Sequence, residues 1–159
     1  MQIKISLRFC LGLLFFLLLQ KQFAQTLIPR FEQLGVNDGL PHSSVYSITQ
    51  DKKGFMWFGT PDGLCRYDGS VLQNFKYNSL NNEEVINNFI RGKILEDKNG
   101  NIWYCNESGI YQWNANQEKI IAVRFFKKDE FANVAFSSIT IDEGGSLWLF
   151  NVLYGIFQF

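Results

Sequence analysis

The residues in this chain that could do chemistry are few and scattered. The single histidine, His42, sits in the stretch GLPHSSV with no nucleophile or kinase phosphoacceptor context around it, so it reads as a solvated or hydrogen-bonded side chain. Acid–base catalysis needs carboxylates that converge on one proton. The adjacent acids Glu83-Glu84 and Asp129-Glu130 lie in polar connecting stretches and read as solvated. The tripeptide Asn106-Glu107-Ser108 fits a glycosylation sequon, a pattern too short to carry weight. No metal-spaced His/Cys cluster and no glycine-rich phosphate loop is present in the sequence. Aspartates recur in turns, but each turn has one or two carboxylates, too few for a calcium loop. The sequence therefore assigns no catalytic, cofactor-binding or metal-binding residue, and no cofactor is expected.

The turn aspartates belong to a repeat instead. Asp51–Tyr67 (DKKGFMWFGTPDGLCRY) returns as Asp97–Trp113 (DKNGNIWYCNESGIYQW) and as Asp142–Phe159 (DEGGSLWLFNVLYGIFQF). Asp51, Asp97 and Asp142 are spaced by 46 and 45 residues, and Gly54, Gly100, Gly145 and Trp57, Trp103, Trp148 keep the same phase. The second glycines, Gly63, Gly109 and Gly155, are 46 apart twice, so the third copy has one additional residue before its glycine. A period of 40–50 residues built from short strands and tight turns is that of propeller blades. The expected fold class is all-β, with blades of four antiparallel strands.

Within the first copy, Val45–Gln50 alternates as a strand, Asp51–Gly54 turns, and Phe55–Thr60 is a second strand. Pro61-Asp62-Gly63 turns again into Leu64–Tyr67, and Asp68-Gly69 into Val71–Tyr77. In the second copy, Ile90–Glu96 opens the blade, turns fall at Asp97–Gly100, Asn106–Gly109 and Asn114–Gln117, and Lys119–Phe126 closes it. The third copy begins at Ala135 and reaches Phe159 after three strands, giving about two and three-quarter blades. The organisation is then 1–24 leader, 25–44 extended amino-terminal segment, 45–84 first blade, 85–133 second blade and 134–159 partial third blade. A tryptophan in every second strand suits the wedge between neighbouring blades, and Tyr67, Trp113 and Phe159 share one place in the third strand.

Lys4 and Arg8 before the apolar run Cys10–Leu19 read as a secretory signal peptide ending at Ala24, with an uncleaved anchor as the alternative. Cys10 lacks the small residues that precede a lipidated cysteine. Export would permit a Cys65–Cys105 disulfide, but small buried hydrophobes in strands is the simpler reading of both. Removing Lys4, Arg8 and Lys21 leaves 12 basic against 15 acidic residues, a net charge of −3 without a basic stripe, so no nucleic-acid partner is expected. Because a closed propeller usually needs four or more blades, 135 mature residues read as the amino-terminal piece of a longer chain.

The pattern D-x-x-G-x-x-W followed by G-[LI] resembles the two-component regulator propeller repeat. The stretch FEQLGVNDGLPHSSVYSITQDKKGFMWFGTPDGLCRYDG is similar to the mature start of the periplasmic sensor half of hybrid histidine kinases. The resemblance covers residues 31–159, and departs from the pattern where Gly59-Thr60 becomes Cys105-Asn106 and Phe150-Asn151. It implies a periplasmic, inner-membrane-anchored parent with further propeller blades, a kinase engaged in a phosphorelay, and a homodimeric arrangement of that parent. It also implies a small-molecule ligand, in many members an oligosaccharide. Two other functions remain: a secreted scaffold propeller, or a propeller lyase or hydrolase. Binding is expected at loops on one face near the axis. The candidate segments are Thr60–Gly63, Asn106–Gly109 and Asn151–Gly155, with the lead-ins His42–Ser44, Asn87–Phe89 and Asn133–Ala135.

Overall fold

The computed structural model describes residues 30–77, 88–124 and 134–159. The leader 1–24 and the connectors around Glu83-Glu84 and Asp129-Glu130 lie outside them. Residues 33–159 form one compact unit. Its described strands are β1 (Ser47–Gln50), β2 (Met56–Thr60), β3 (Gly63–Tyr67), β4 (Leu72–Phe75), β5 (Leu95–Glu96), β6 (Ile102–Asn106), β7 (Gly109–Asn114), β8 (Lys119–Val123), β9 (Ser138–Ile141), β10 (Leu147–Asn151) and β11 (Gly155–Gln158). They make three antiparallel meanders in chain order, β1-β2-β3-β4, β5-β6-β7-β8 and β9-β10-β11. The expected all-β architecture of four-stranded blades is what forms, with three strands in the third sheet among the described residues. Before β1, Asn37-Asp38-Gly39 closes a single 3-10 turn, Val36–Asp38, with Gly39 at φ 109°.

Each repeat folds around its aspartate. Asp51 Oδ1 accepts the amides of Lys53 and Phe55 (both 2.9 Å), while Oδ2 accepts the Trp57 indole N–H at 2.8 Å. Asp97 does the same with Asn99, Asn101 and Trp103, and Asp142 with Ser146 and Trp148. The glycines three residues on, Gly54, Gly100 and Gly145, hold φ of 91°, 81° and 95°, where a Cβ would be strained. The repeated Asp, Gly and Trp are thus one hydrogen-bonded device that fixes the first hairpin of every blade.

The core lies between sheets. One cluster joins Trp57 and Leu64 of the first sheet to Ile90 and Ile94, which lead into β5, and to Ile102, Tyr104, Tyr111, Trp113 and Ile120 of the second. The other joins Cys105 and Ile110 to Phe136, Ile139, Leu147 and Leu149 of the third. The Trp57 ring lies tilted 4.8 Å from that of Trp113 and 5.9 Å from that of Phe75, filling the wedge as expected. The three tryptophans are not equivalent, however. Trp57 is fully buried, whereas Trp103 and Trp148 are only partly so. Trp148 points to the side of β10 opposite Leu147 and Leu149, and among the described residues no sheet covers that side.

The lead-in to the second blade is a second departure. Ladder pairing is confined to Leu95–Glu96, not Ile90–Glu96. The Ile90 amide is taken by the Thr60 carbonyl of the first sheet at 3.0 Å, and the Ile90 and Ile94 side chains are plugged into the inter-sheet core. Anchoring to the neighbouring blade has replaced pairing within its own. At the opposite end, the Lys52 ammonium donates to the Asp97 carbonyl (3.1 Å) and Lys98 to the Gly144 carbonyl (2.8 Å). In the first two repeats, therefore, one lysine clips its turn to the next blade's turn.

Cys65 and Cys105 are free and buried, each as a small apolar group in a strand. Burial pushes both thiols up to about 11, so thiolate is scarce near neutral pH.

Candidate functional site

Strand direction sorts the loops. β1 runs down to the Asp51–Gly54 turn and β2 runs back up to Thr60. The turns after β2, β6 and β10 therefore share one end of the sheets with the segments leading into β1, β5 and β9. The candidate segments drawn from sequence do fall on this one end, apart from Asn87 and Asn133, which lie outside the described residues.

Most polar groups of those turns are already used. Thr60 Oγ1 accepts the Asp62 amide (3.1 Å) and donates to the Gly63 carbonyl (2.9 Å). Asn106 Oδ1 accepts the Ser108 amide at 2.8 Å, and Asn151 Oδ1 accepts those of Leu153 and Tyr154 at 2.7 and 2.8 Å. All three side chains are buried. The change from Thr60 to Asn106 and Asn151 is therefore chemically conservative, since either side chain supplies the acceptor for a turn amide. Asp62 is paired with Lys76 at 2.7 Å, and His42 Nδ1 accepts the Ser44 amide at 2.9 Å. These groups build the end of the sheets and leave little for a ligand.

What stays open at this end is aromatic and cationic. Tyr46, just before β1, meets Phe89, on the lead-in to β5, with ring centroids 5.3 Å apart. The Arg91 guanidinium lies 5.6 Å from the Tyr46 centroid and 5.4 Å from that of Phe89. Tyr46 and Arg91 are exposed and Phe89 partly so. Burial of Ile90, between Phe89 and Arg91, orients both neighbours outward. Sequence reading named Phe89 within a lead-in segment but missed Tyr46 and Arg91. Tyr46 lay inside an alternating strand pattern, and Arg91 in a stretch expected to pair as a strand.

A second arginine shows the contrast. Arg66 on β3 sits within 4.8–5.7 Å of the rings of Phe55, Trp57, Phe75 and Trp113, half-buried, and donates to Gln73 Oε1 at 2.6 Å. That guanidinium is closed in by the wedge and serves packing. Among the described residues no group of three His, Cys, Asp or Glu side chains is placed to hold a metal ion.

Comparison with known proteins agrees with this architecture. A family model described as two component regulator propeller matches residues 39–62 and 84–108. Histidine kinase P4 of Formosa agariphila is 32% identical over 88 residues, which is 52% of this chain and 6% of that protein. The extracellular domain of BT3049 from B. thetaiotaomicron, described as a hybrid two component system, superposes with a TM-score of 0.64 at 25% identity, over 79% of this chain and 18% of that one. The corresponding domain of BT4673 gives a TM-score of 0.60 at 24% identity, over 77% of this chain and 16% of that one. The chain thus spans less than a fifth of each of these relatives. Residues 39–62 and 84–108 thus match the two component regulator propeller repeat, and each match contributes strands to a separate four-stranded sheet.

Proposed function

We propose that this chain is part of the extracytoplasmic ligand-sensing propeller of a two-component signalling receptor, and that its ligand is an oligosaccharide. The observation that carries the reading is the pairing of family repeats with a fold likeness to the extracellular domain of a hybrid two component system over 79% of the chain. In such a receptor the propeller binds and does not turn its ligand over, and the phosphoryl chemistry belongs to a kinase elsewhere in the parent. Further blades of that parent would cover the outward side of the third sheet, and residues 1–24 would direct the chain to the periplasm.

Calorimetric titration of the full chain with a panel of neutral and acidic oligosaccharides tests this. Saturable binding with each ligand recovered chemically unchanged is the expected result. Cleavage of a ligand, or binding of no saccharide at all, would sink the oligosaccharide-sensing reading. Cell fractionation with amino-terminal sequencing checks the export step, with a mature protein beginning at Gln25 expected in the periplasm.

A further inference from the structure

We propose that Tyr46, Phe89 and Arg91 form a contact site for the anionic group of a saccharide, carboxylate or sulfate. This rests on the oligosaccharide reading above and narrows it to acidic sugars.

Both arginines lie over aromatic rings, but only Arg66 is half-buried, with four rings around it and an acceptor on its fork. Arg91 has two rings on one side and, among the described residues, no carboxylate partner. Ring contacts hold a guanidinium in place without using its N–H donors, and a planar fork matches a carboxylate or sulfate with two parallel hydrogen bonds. A lysine could offer charge there but not that geometry.

The rings supply the second half of the chemistry. Tyr46 remains 46% exposed despite its contacts with Phe89 and Arg91, so part of its face is open to a sugar ring. An apolar ring face beside a cation suits a pyranose that carries an acid.

The placement is rigid, which a binding contact requires. Tyr46 is tied to β2 by the hydrogen bond that its amide donates to the Gly59 carbonyl (2.9 Å), and the Phe89–Arg91 stretch is tied to the same strand by the hydrogen bond from the Ile90 amide to the Thr60 carbonyl. The site thus bridges two blades at the end where the candidate loops gather. The buried inter-sheet contact beneath Arg91 is made by Ile90 and Ile94.

The test is titration of the full chain with tetragalacturonate, with its methyl ester, which keeps the rings and removes the charge, and with a sulfated galactan tetrasaccharide. Neutral galactotetraose is the control. At least one acidic probe should bind, at least tenfold more tightly than its uncharged counterpart, and more weakly as salt is raised. Arg91→Gln should cost that probe at least tenfold, Arg91→Lys should recover only part of it, and Tyr46→Ala should weaken it further. Circular dichroism of each variant should match the parent, since these side chains are on the surface. Binding of galactotetraose alone, or acidic binding unchanged in Arg91→Gln, would overturn this site and leave oligosaccharide sensing standing. Failure of every saccharide, neutral and acidic, would instead remove both.

Discussion

At the scale of single residues, the repeated Asp and Trp are one unit whose value depends on what covers it. The indole–carboxylate bond is 2.8 Å in all three copies, but only Trp57 is completely enclosed. Truncating a fully buried tryptophan costs about 3–5 kcal/mol. We expect Trp57→Ala to reach that range, Trp103→Ala to cost less and Trp148→Ala least, in a ranking read from urea midpoints of the three variants. Equal losses would mean that the repeat position, not its covering, sets the energy. The carboxylates also carry a pH dependence. At Asp97, desolvation is the largest influence and works to raise the pKa, but bonds from the Trp103 indole, the Asn101 side chain and amide, and the Asn99 amide together outweigh it and hold it below the usual value. At the exposed Asp142 the Trp148 indole leads the lowering. A depressed carboxylate contributes stability that is present above its unfolded pKa, near 3.9, and lost as pH falls through the folded value. Thermal melts from pH 6 to pH 2.5 should therefore stay level to about pH 4.5 and then decline, with a shallower decline in Asp97→Asn.

At the scale of elements, close approach between sheets is bought by Gly59. A Cβ built there would meet Ser47 Oγ, come within 2.7 Å of Ile90 Cγ2 and lie 3.1 Å from Ile94 Cδ1. Its backbone is ordinary strand, so the demand is for space and not for a special φ. Gly59→Ala must push the Ile90 plug outward, and overpacking of this kind costs about 1–3 kcal/mol. The expected outcome is a lower melting temperature together with faster amide exchange at Ile90, whose bond to Thr60 would open; a variant as stable and protected as the parent would refute it. This position also shows what could be read in advance and what could not. Period, turns and hairpin order were legible because Asp, Gly and aromatic residues recur at fixed spacing, and each has a local reason to do so. Pairing at Ile90–Ile94 was misread because an apolar run looks alike whether it ladders with its own sheet or plugs into a neighbour. The Asp–Trp bond was present in the constant six-residue spacing, but spacing alone does not say that an indole turns back to its own turn. Arg91 carried no signal at all, since nothing local distinguishes a stacked, open guanidinium from a solvated one.

At the scale of the whole molecule, apolar surface is unevenly distributed. The side of the third sheet away from the core exposes Phe150 (43%) and Ile156 (69%), and the turn lengthened by one residue adds Val152, Leu153 and Tyr154 beside them. The first two wedges show what such surfaces do when another sheet is present: Trp57 and Trp113 close on each other, and Leu149 packs against the second sheet. The lysine clips follow the same direction, from Lys52 to the second blade and from Lys98 to the third, but the matching residue of the third repeat is Glu143. A glutamate there accepts instead of donating, so the chemistry of this last face differs from that of the two formed wedges. Exposed apolar faces of this kind drive association when nothing else covers them. In the isolated chain, then, the face should pair with a second copy. Sedimentation equilibrium of the chain should show concentration-dependent self-association, with the double variant Phe150→Lys, Ile156→Lys shifted toward monomer, because placing two like charges on each copy opposes pairing of the same face. If the parent chain sediments as a monomer across the micromolar range, the face is not a driver of association. If the double variant associates as strongly as the parent, the contact lies elsewhere.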